Sequence, residues 1–283
     1  MEKIVHRVPE GAEPARIDRY LADALGMSRA RVKDAIDKGR VKVDGRRVKK
    51  GDAVRPGSEI VAELSTERAP PKPQPELPLK VLHEDPAFVV VDKPAGTPTH
   101  PLEEEELGTL GNALIARYPE CLEASEDARE CGFAHRLDTE TSGAMVAARN
   151  REAYTRLREA FSARAVGKTY VALVGGLIGS EGEIDVPIAH HPSNQRVMIA
   201  CALEEDAVRL KARDALTRFK LLERVGDYAL LEIEIPTGVM HQIRVHLSSI
   251  GAPVAGDAQY GGPAVEGLTR QFLHAQKLSF PHP

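Results

Sequence analysis

Ala134-His135-Arg136-Leu137-Asp138-Thr139-Glu140-Thr141-Ser142-Gly143 runs directly into an apolar stretch at residues 144–148. Turn formers and small hydroxyl residues between two apolar flanks read as a strand, a tight loop and a second strand. Asp138 opens that loop, with Arg136 two residues before it. At strand spacing both side chains project to the same side. A carboxylate held near cations and hydroxyls stays ionised and oriented, which suits a nucleophile or a general base. The competing reading is a loop Asp that caps its own backbone in an Asx-turn. The rest of the chain decides between them.

With 283 residues there is room for one large domain and a small one. The apolar share of 42% fills a core, although aromatics are 4% and Trp is absent. No apolar run approaches membrane-spanning length, and MEKIVHRVPEG lacks the apolar segment of a signal peptide. Cys121, Cys131 and Cys201 have no CxxC spacing and leave an odd thiol over, which predicts a reducing, cytoplasmic setting rather than a disulfide framework or zinc site. The net charge of −4 is unevenly spread. Residues 14–64 carry 13 Lys and Arg against 8 Asp and Glu, whereas residues 65–283 carry 23 against 31. Such asymmetry is the footprint of a localised basic binding surface, although basic solvated faces are also common.

Residues 14–64 read as a compact module. Apolar residues at 17, 20, 21, 24 and 25 predict a helix ending at Gly26. Ser28 is placed to cap a second helix over residues 29–38, closed by Gly39. Residues 41–43 and 46–48 flank an Asp44-Gly45 hairpin turn, and Pro56-Gly57 leads into a strand at 59–64. Arg29, Arg31, Lys33, Arg40 and Arg46 fall on the second helix and the hairpin after it, an array able to track phosphates. Residues 65–79 contain five prolines and read as a semi-extended linker.

From residue 80 the chain changes character. Strands are predicted at 80–83 and 88–91, leading into the Pro-stiffened loop Lys93-Pro94-Ala95-Gly96-Thr97-Pro98-Thr99-His100. Helices are expected at 110–117 and 151–164, with a polar surface loop at 121–131. Residues 166–174 form a strand bearing Lys168 and Tyr170 on one face, and residues 183–247 alternate as antiparallel strands do. For residues 242–247 two patterns stay open. A strand would group Gln242, Arg244 and His246, while a helix would group Ile243, His246 and Leu247. Histidines 190, 191, 241, 246 and 274 lack the spacing of a tight metal-ligand pair, and no Gly-rich phosphate loop is present, so neither metal nor cofactor is expected.

His135-Arg136-Leu137-Asp138-x-x-Thr141-Ser142-Gly143 resembles the signature of the RluA-type pseudouridine synthases. Lys93-Pro94-x-Gly96…His100, Lys168-x-Tyr170-x-Ala172, Thr237-Gly238-Val239-x-His241-Gln242-Ile243-Arg244-x-His246 and Gly256-Asp257-x-x-Tyr260-Gly261 resemble further elements of that family, in order. Residues 14–64 resemble the small RNA-binding domain of the ribosomal-protein S-four type. The resemblance implies an α+β protein in three parts: a helix-hairpin RNA-binding domain at 14–64, the linker at 65–79, and a catalytic domain at 80–283 on a mixed or antiparallel sheet flanked by helices. It implies conversion of uridine to pseudouridine in structured RNA without a cofactor. Ribosomal RNA of the large subunit is the expected substrate, with transfer RNA also open, and the protein is expected to act as a monomer.

By the same resemblance Asp138 is the catalytic residue and Tyr170 stacks on the target base. Arg244 is the candidate ion-pair partner of Asp138, Arg136 is placed to fill or hold open the gap left by an extruded base, and His135 supports the loop. Two departures stand out. Val239 occupies a position where the family pattern has arginine, and the chain ends at Pro283, leaving residues 277–280 without an evident partner strand. Those departures suit an alternative, a non-catalytic RNA-binding or ribosome-assembly factor on the same fold; the intact Asp138, Tyr170 and Arg244 argue against it.

Overall fold

The computed structural model describes residues 2–27, 29–64, 70–102 and 105–283, with the side chains of residues 2, 29–31 and 64 outside the description. The chain divides into two compact units, Met1–Arg68 and Ala69–Pro283.

The first unit contains β1 (Glu2–Arg7), β2 (Ala15–Arg16), α1 (Ile17–Leu25), α2 (Arg29–Asp37), β3 (Val41–Val43), β4 (Arg46–Arg47), β5 (Ala53–Val54) and β6 (Glu59–Leu64). Strand order in its main sheet is β1-β6-β3-β4, antiparallel throughout, while β2 pairs with β5. Ile17 and Leu21 of α1, Val32 and Ile36 of α2, and Val41, Val54 and Ile60 from the strands close one apolar core. Asp44 and Gly45 both take positive φ (49° and 76°), the twist that a two-residue hairpin turn needs. Strand β1 lies outside the 14–64 module expected from sequence, yet it completes the sheet by pairing along the whole of β6. The expected cap at Ser28 falls outside the described residues.

The second unit contains β7 (Lys80–Glu84), β8 (Phe88–Lys93), α3 (Leu110–Arg117), α4 (Cys121–Ala124), β9 (Ser142–Ala148), α5 (Arg151–Ser162), β10 (Gly167–Gly175), β11 (Glu181–Asp185), β12 (Ile188–His191), β13 (Asn194–Ala200), α6 (Glu204–Arg209), β14 (Leu216–Val225), β15 (Tyr228–Glu234), α7 (Gln242–Ser249) and β16 (Leu273–Ser279). Eight strands form one sheet in the order β11-β14-β15-β10-β16-β9-β8-β7. Every pairing is antiparallel except that of β16 with β9. The sheet is therefore mixed, with its parallel seam near the middle. Residues 72–79 of the expected linker run against this unit: Gln74 N–H donates to Asn112 O (3.0 Å) and Asn112 Nδ2 donates to Lys72 O (2.8 Å).

The seam positions the site. Register places Ile233, Tyr170, Ala275, Gly143 and Lys93 in one row across β15, β10, β16, β9 and β8. Gly143 has φ +126°, and a Cβ there would collide with the carbonyl of Ala275, so no other residue lets β9 and β16 approach this closely.

Three sequence expectations are corrected. Residues 134–137 form no strand beyond the isolated bridge at Phe133 just before them, because Thr99 takes up the Leu137 backbone groups, while the tight turn expected after Asp138 is present at residues 139–140. The expected polar loop at 121–131 holds α4 and a 3-10 turn, with Cys121 and Cys131 buried in the core. Residues 277–279 do not lack a partner, since Lys277, Leu278 and Ser279 pair with Thr169, Lys168 and Gly167 of β10.

Candidate active site

Asp138 is held from both sides. Before it, Thr99 Oγ1 donates to Leu137 O (3.0 Å) and accepts the Leu137 N–H (3.3 Å). After it, Thr141 N–H donates back to Asp138 O (3.0 Å), closing a turn. Lys93, fully buried, donates to the carbonyls of Pro94 (2.9 Å), Thr97 (2.6 Å) and Thr139 (2.8 Å). One ammonium thereby ties the residue 93–99 loop to the turn that carries Asp138. Burial pushes this lysine down to about 8, while acceptance by three carbonyls requires all three ammonium hydrogens.

The carboxylate is met by α7. Residues 242–247 take the helical alternative, and the side chain of Gln242 organises the entry: its Oε1 accepts from Val239 N–H (3.0 Å) and from Thr237 Oγ1 (2.9 Å), and its Nε2 donates to Leu216 O (2.8 Å). Helical spacing sends Gln242 and His246 together onto Thr217, at 3.1 and 2.8 Å, and turns Arg244 toward Asp138, while His241, just before the helix, comes within 3.9 Å of it.

Arg244 Nη1 donates to Asp138 Oδ2 at 3.0 Å. Its Nε and Nη2 grip both oxygens of Asp257 (2.7 and 2.9 Å), and Nη2 also reaches Gln259 Oε1 (2.9 Å). The arginine side chain is 6% exposed and Asp257 2%, whereas Asp138 is 23% exposed and faces the cleft. A bidentate, desolvated partner thus fixes the guanidinium, which in turn fixes Asp138. Among the described residues no donor reaches Asp138 Oδ1.

An open cleft of about 630 Å³ surrounds it, lined by Arg136, Tyr170, Lys168, Arg158, Val239 and His241 among others. Tyr170 is buried at the cleft floor, and burial beside Asp138 raises its hydroxyl pKa. Arg136 is exposed on the rim. His135 is half-buried, stacks on Phe161 with ring centroids 4.8 Å apart, and accepts the Val146 N–H at Nε2 (3.2 Å). Burial, with Lys168 nearby, pushes its pKa down to about 3, so the ring is a neutral brace. Lys168 donates to Thr237 O (2.7 Å), and burial lowers it to about 8. Val239 packs with Ile188, Met198, Ala215 and Val245, so the residue in place of the family arginine serves an apolar cluster beside the cleft.

The structure therefore brings Asp138, Arg136, Tyr170, Arg244 and His135 to one cleft. Sequence reasoning gave no role to Asp257, Gln259, Tyr260, His241 or Lys93. The Gly256-Asp257-x-x-Tyr260-Gly261 and Lys93-Pro94 elements were visible, but nothing in their spacing connects them with residue 138. In the first unit, Lys33 is ion-paired with Asp37 (2.6 Å), Arg40 is half-buried and Arg46 is exposed on the hairpin. Arg29 and Arg31 lie on α2, with side chains outside the description. Among the described residues no His, Cys, Asp and Glu cluster could hold a metal ion, and no helix is long and apolar enough to cross a membrane.

Comparison with known proteins places the chain in a family. The family profile described as RNA pseudouridylate synthase matches residues 87–249, and that described as S4 domain matches residues 15–60. The chain is 38% identical to the ribosomal large subunit pseudouridine synthase D of Xanthomonas campestris, over 98% of this chain and 84% of the relative. It is 41% identical to an uncharacterized RNA pseudouridine synthase of Chloroflexus aurantiacus, over 100% of this chain and 87% of that one. Among solved structures, the human RNA pseudouridylate synthase domain containing 1 matches with a TM-score of 0.56 and 30% identity, covering 72% of this chain and 79% of the other. The chain belongs to the RNA pseudouridylate synthase family.

Proposed function

We propose that this RNA pseudouridine synthase acts on structured large-subunit ribosomal RNA, with Asp138 as its catalytic carboxylate. One observation carries the assignment: a partly exposed carboxylate lining the cleft whose Oδ2 is fixed by a buried, bidentately held arginine. The reaction breaks a glycosidic bond, turns the base and forms a carbon–carbon bond, so it needs an ionised, oriented carboxylate as nucleophile or base. Arg244 holds it in place through Oδ2. Tyr170 at the cleft floor stacks on the uracil, since an aromatic face is the generic support for a base taken out of its helix. Arg136 on the rim fills or holds open the gap the base leaves, and His135 braces the loop as a neutral ring.

In the first unit, Arg29, Arg31, Lys33, Arg40 and Arg46 contact phosphates, which supplies affinity without reading sequence. The name of the Xanthomonas relative supports ribosomal over transfer RNA as substrate. Three buried, unpaired thiols suit a reducing cytoplasm, where the protein acts as a monomer.

The test is tritium release from carbon 5 of labelled uridine, measured in parallel on large-subunit ribosomal RNA fragments and on transfer RNA. Release from the ribosomal fragments alone, abolished in Asp138→Asn with RNA binding kept within about a few-fold, is expected. Turnover by Asp138→Asn refutes the catalytic assignment, and preferential release from transfer RNA refutes the substrate.

A further inference from the structure

His241 stands beside the Asp138 carboxylate and Tyr260 beside His241. The Tyr260 hydroxyl oxygen lies 2.8 Å from His241 Nδ1 and accepts the Met198 N–H at 2.9 Å. The far ring nitrogen, His241 Nε2, faces Asp138 Oδ2 at 3.9 Å. Arg244 lies over the Tyr260 ring, 4.8 Å from its centroid, and the two aromatic rings meet edge to face at 5.6 Å.

Hydrogen counting fixes which nitrogen carries the proton. A phenol has one hydrogen to give and two lone pairs to receive with. Met198 N–H fills one lone pair. Among the described residues the only acceptor within reach of the hydroxyl hydrogen is His241 Nδ1. Were Nδ1 protonated instead, it would occupy the second lone pair and leave the hydroxyl hydrogen with no protein acceptor, at a cost. Nδ1 is therefore the acceptor, and the neutral ring carries its hydrogen on Nε2, on the side of Asp138. Burial lowers the His241 pKa, which keeps the ring neutral. The backbone gives a second, independent sign. His241 has φ +57°, a left-handed conformation uncommon outside glycine, directly before α7 begins. That conformation aims the ring at Asp138 instead of along the helix.

We infer that His241 is a positioning residue for Asp138: its Nε2–H, set by the Tyr260 hydroxyl, joins Arg244 on Oδ2 and leaves Oδ1 as the reacting oxygen. The inference rests on the reading of Asp138 as the catalytic carboxylate. His241 lends a hydrogen bond and keeps its proton. The 3.9 Å separation is longer than a hydrogen bond, as contacts in empty sites often are before substrate tightens them.

Two substitutions separate the ring's two ends. His241→Asn places an amide where Nδ1 lies and tolerates positive φ, but offers Asp138 nothing. His241→Gln carries an amide out to the position of Nε2. At saturating RNA, Asn is expected to lower kcat about ten-fold or more with KM within about two-fold, and Gln to recover at least about five-fold of that loss. In 15N-histidine-labelled wild-type protein, His241 is expected to show the Nε2–H tautomer, and Tyr260→Phe a mixture of tautomers. Equal kcat for Asn and Gln, or an Nδ1–H tautomer in the wild type, overturns the inference; the spectrum decides even if neither variant folds. Asp138→Asn run alongside keeps the two claims apart. If it turns over, the reading of Asp138 fails; if it is inactive while Asn and Gln are equal, only the role of His241 falls.

Discussion

Replacing Arg244 with Met keeps most of the side-chain volume and removes the charge, and its effects on stability and on catalysis have different origins. In the folded chain the guanidinium and Asp257 are 6% and 2% exposed and are joined through two bonds of 2.7 and 2.9 Å. The substitution leaves Asp257 buried without a cation, and breaking a buried pair from one side costs about 3–5 kcal/mol. Asp138, partly open to water, adds less. At roughly 2–4 °C per kcal/mol for a unit of this size, the second unit's melting temperature should fall by roughly 6–20 °C. Arg244→Met/Asp257→Leu removes the orphaned charge and should regain most of the stability while staying inactive. Thermal unfolding followed by circular dichroism, beside single-turnover assays, reads both effects. A variant as stable as wild type, or a double variant no more stable than the single one, would refute the clamp.

Gly143→Ala should destabilise the second unit by about 2–5 kcal/mol, because the new methyl meets the Ala275 carbonyl at a φ that L residues rarely adopt; an unchanged denaturant midpoint would show that the seam can yield. As pH falls from the ordinary histidine value near 6.5 toward about 3, the unfolded chain takes up a proton that folded His135 refuses, so stability present above that window is lost within it. His135→Gln should flatten this slope by one proton, read from urea titrations across the window. Removing residues 1–69 should leave a second unit that folds and modifies a short stem-loop, with weaker affinity for large RNA and a flatter dependence of affinity on salt. Identical salt slopes would place the electrostatic contacts elsewhere, with the arginines of residues 149–164 next in line.

Local patterns carried the helices and most strands. The Asp44-Gly45 turn, the Gly26 and Gly39 stops and the helix beginning at residue 151 follow from two- and four-residue periodicities that each segment displays by itself. What failed was what depended on distant partners. The residues just before Asp138 look like a strand, but a strand needs a neighbour, and here Thr99 supplies the hydrogen bonds to Leu137 that a neighbour would have made. Residues 242–247 satisfy both periodicities, and Gln242 decides for the helix by bonding backward to Thr237 and Val239, contacts no window over 242–247 can contain.

The site divides along the same line. Asp138, Tyr170 and Arg244 drew attention because their neighbours in the sequence form recognisable elements, yet what fixes Arg244 in place lies 13 residues further on, in Asp257. An arginine facing one half-exposed carboxylate would be a weak ion pair. The same arginine fastened to a fully buried carboxylate is a fixed charge that holds Asp138 through Oδ2. Val239 follows a similar logic. The sequence registers only that an arginine is missing; packing against Ile188 and Val245 makes the position part of the apolar wall on which the entry to α7 is built. Restoring arginine there would trade that wall for a charge the cleft already supplies from Arg136, Arg158 and Arg213. The departure thus removes one cation among several and leaves the geometry of Asp138, Arg244 and Asp257 intact.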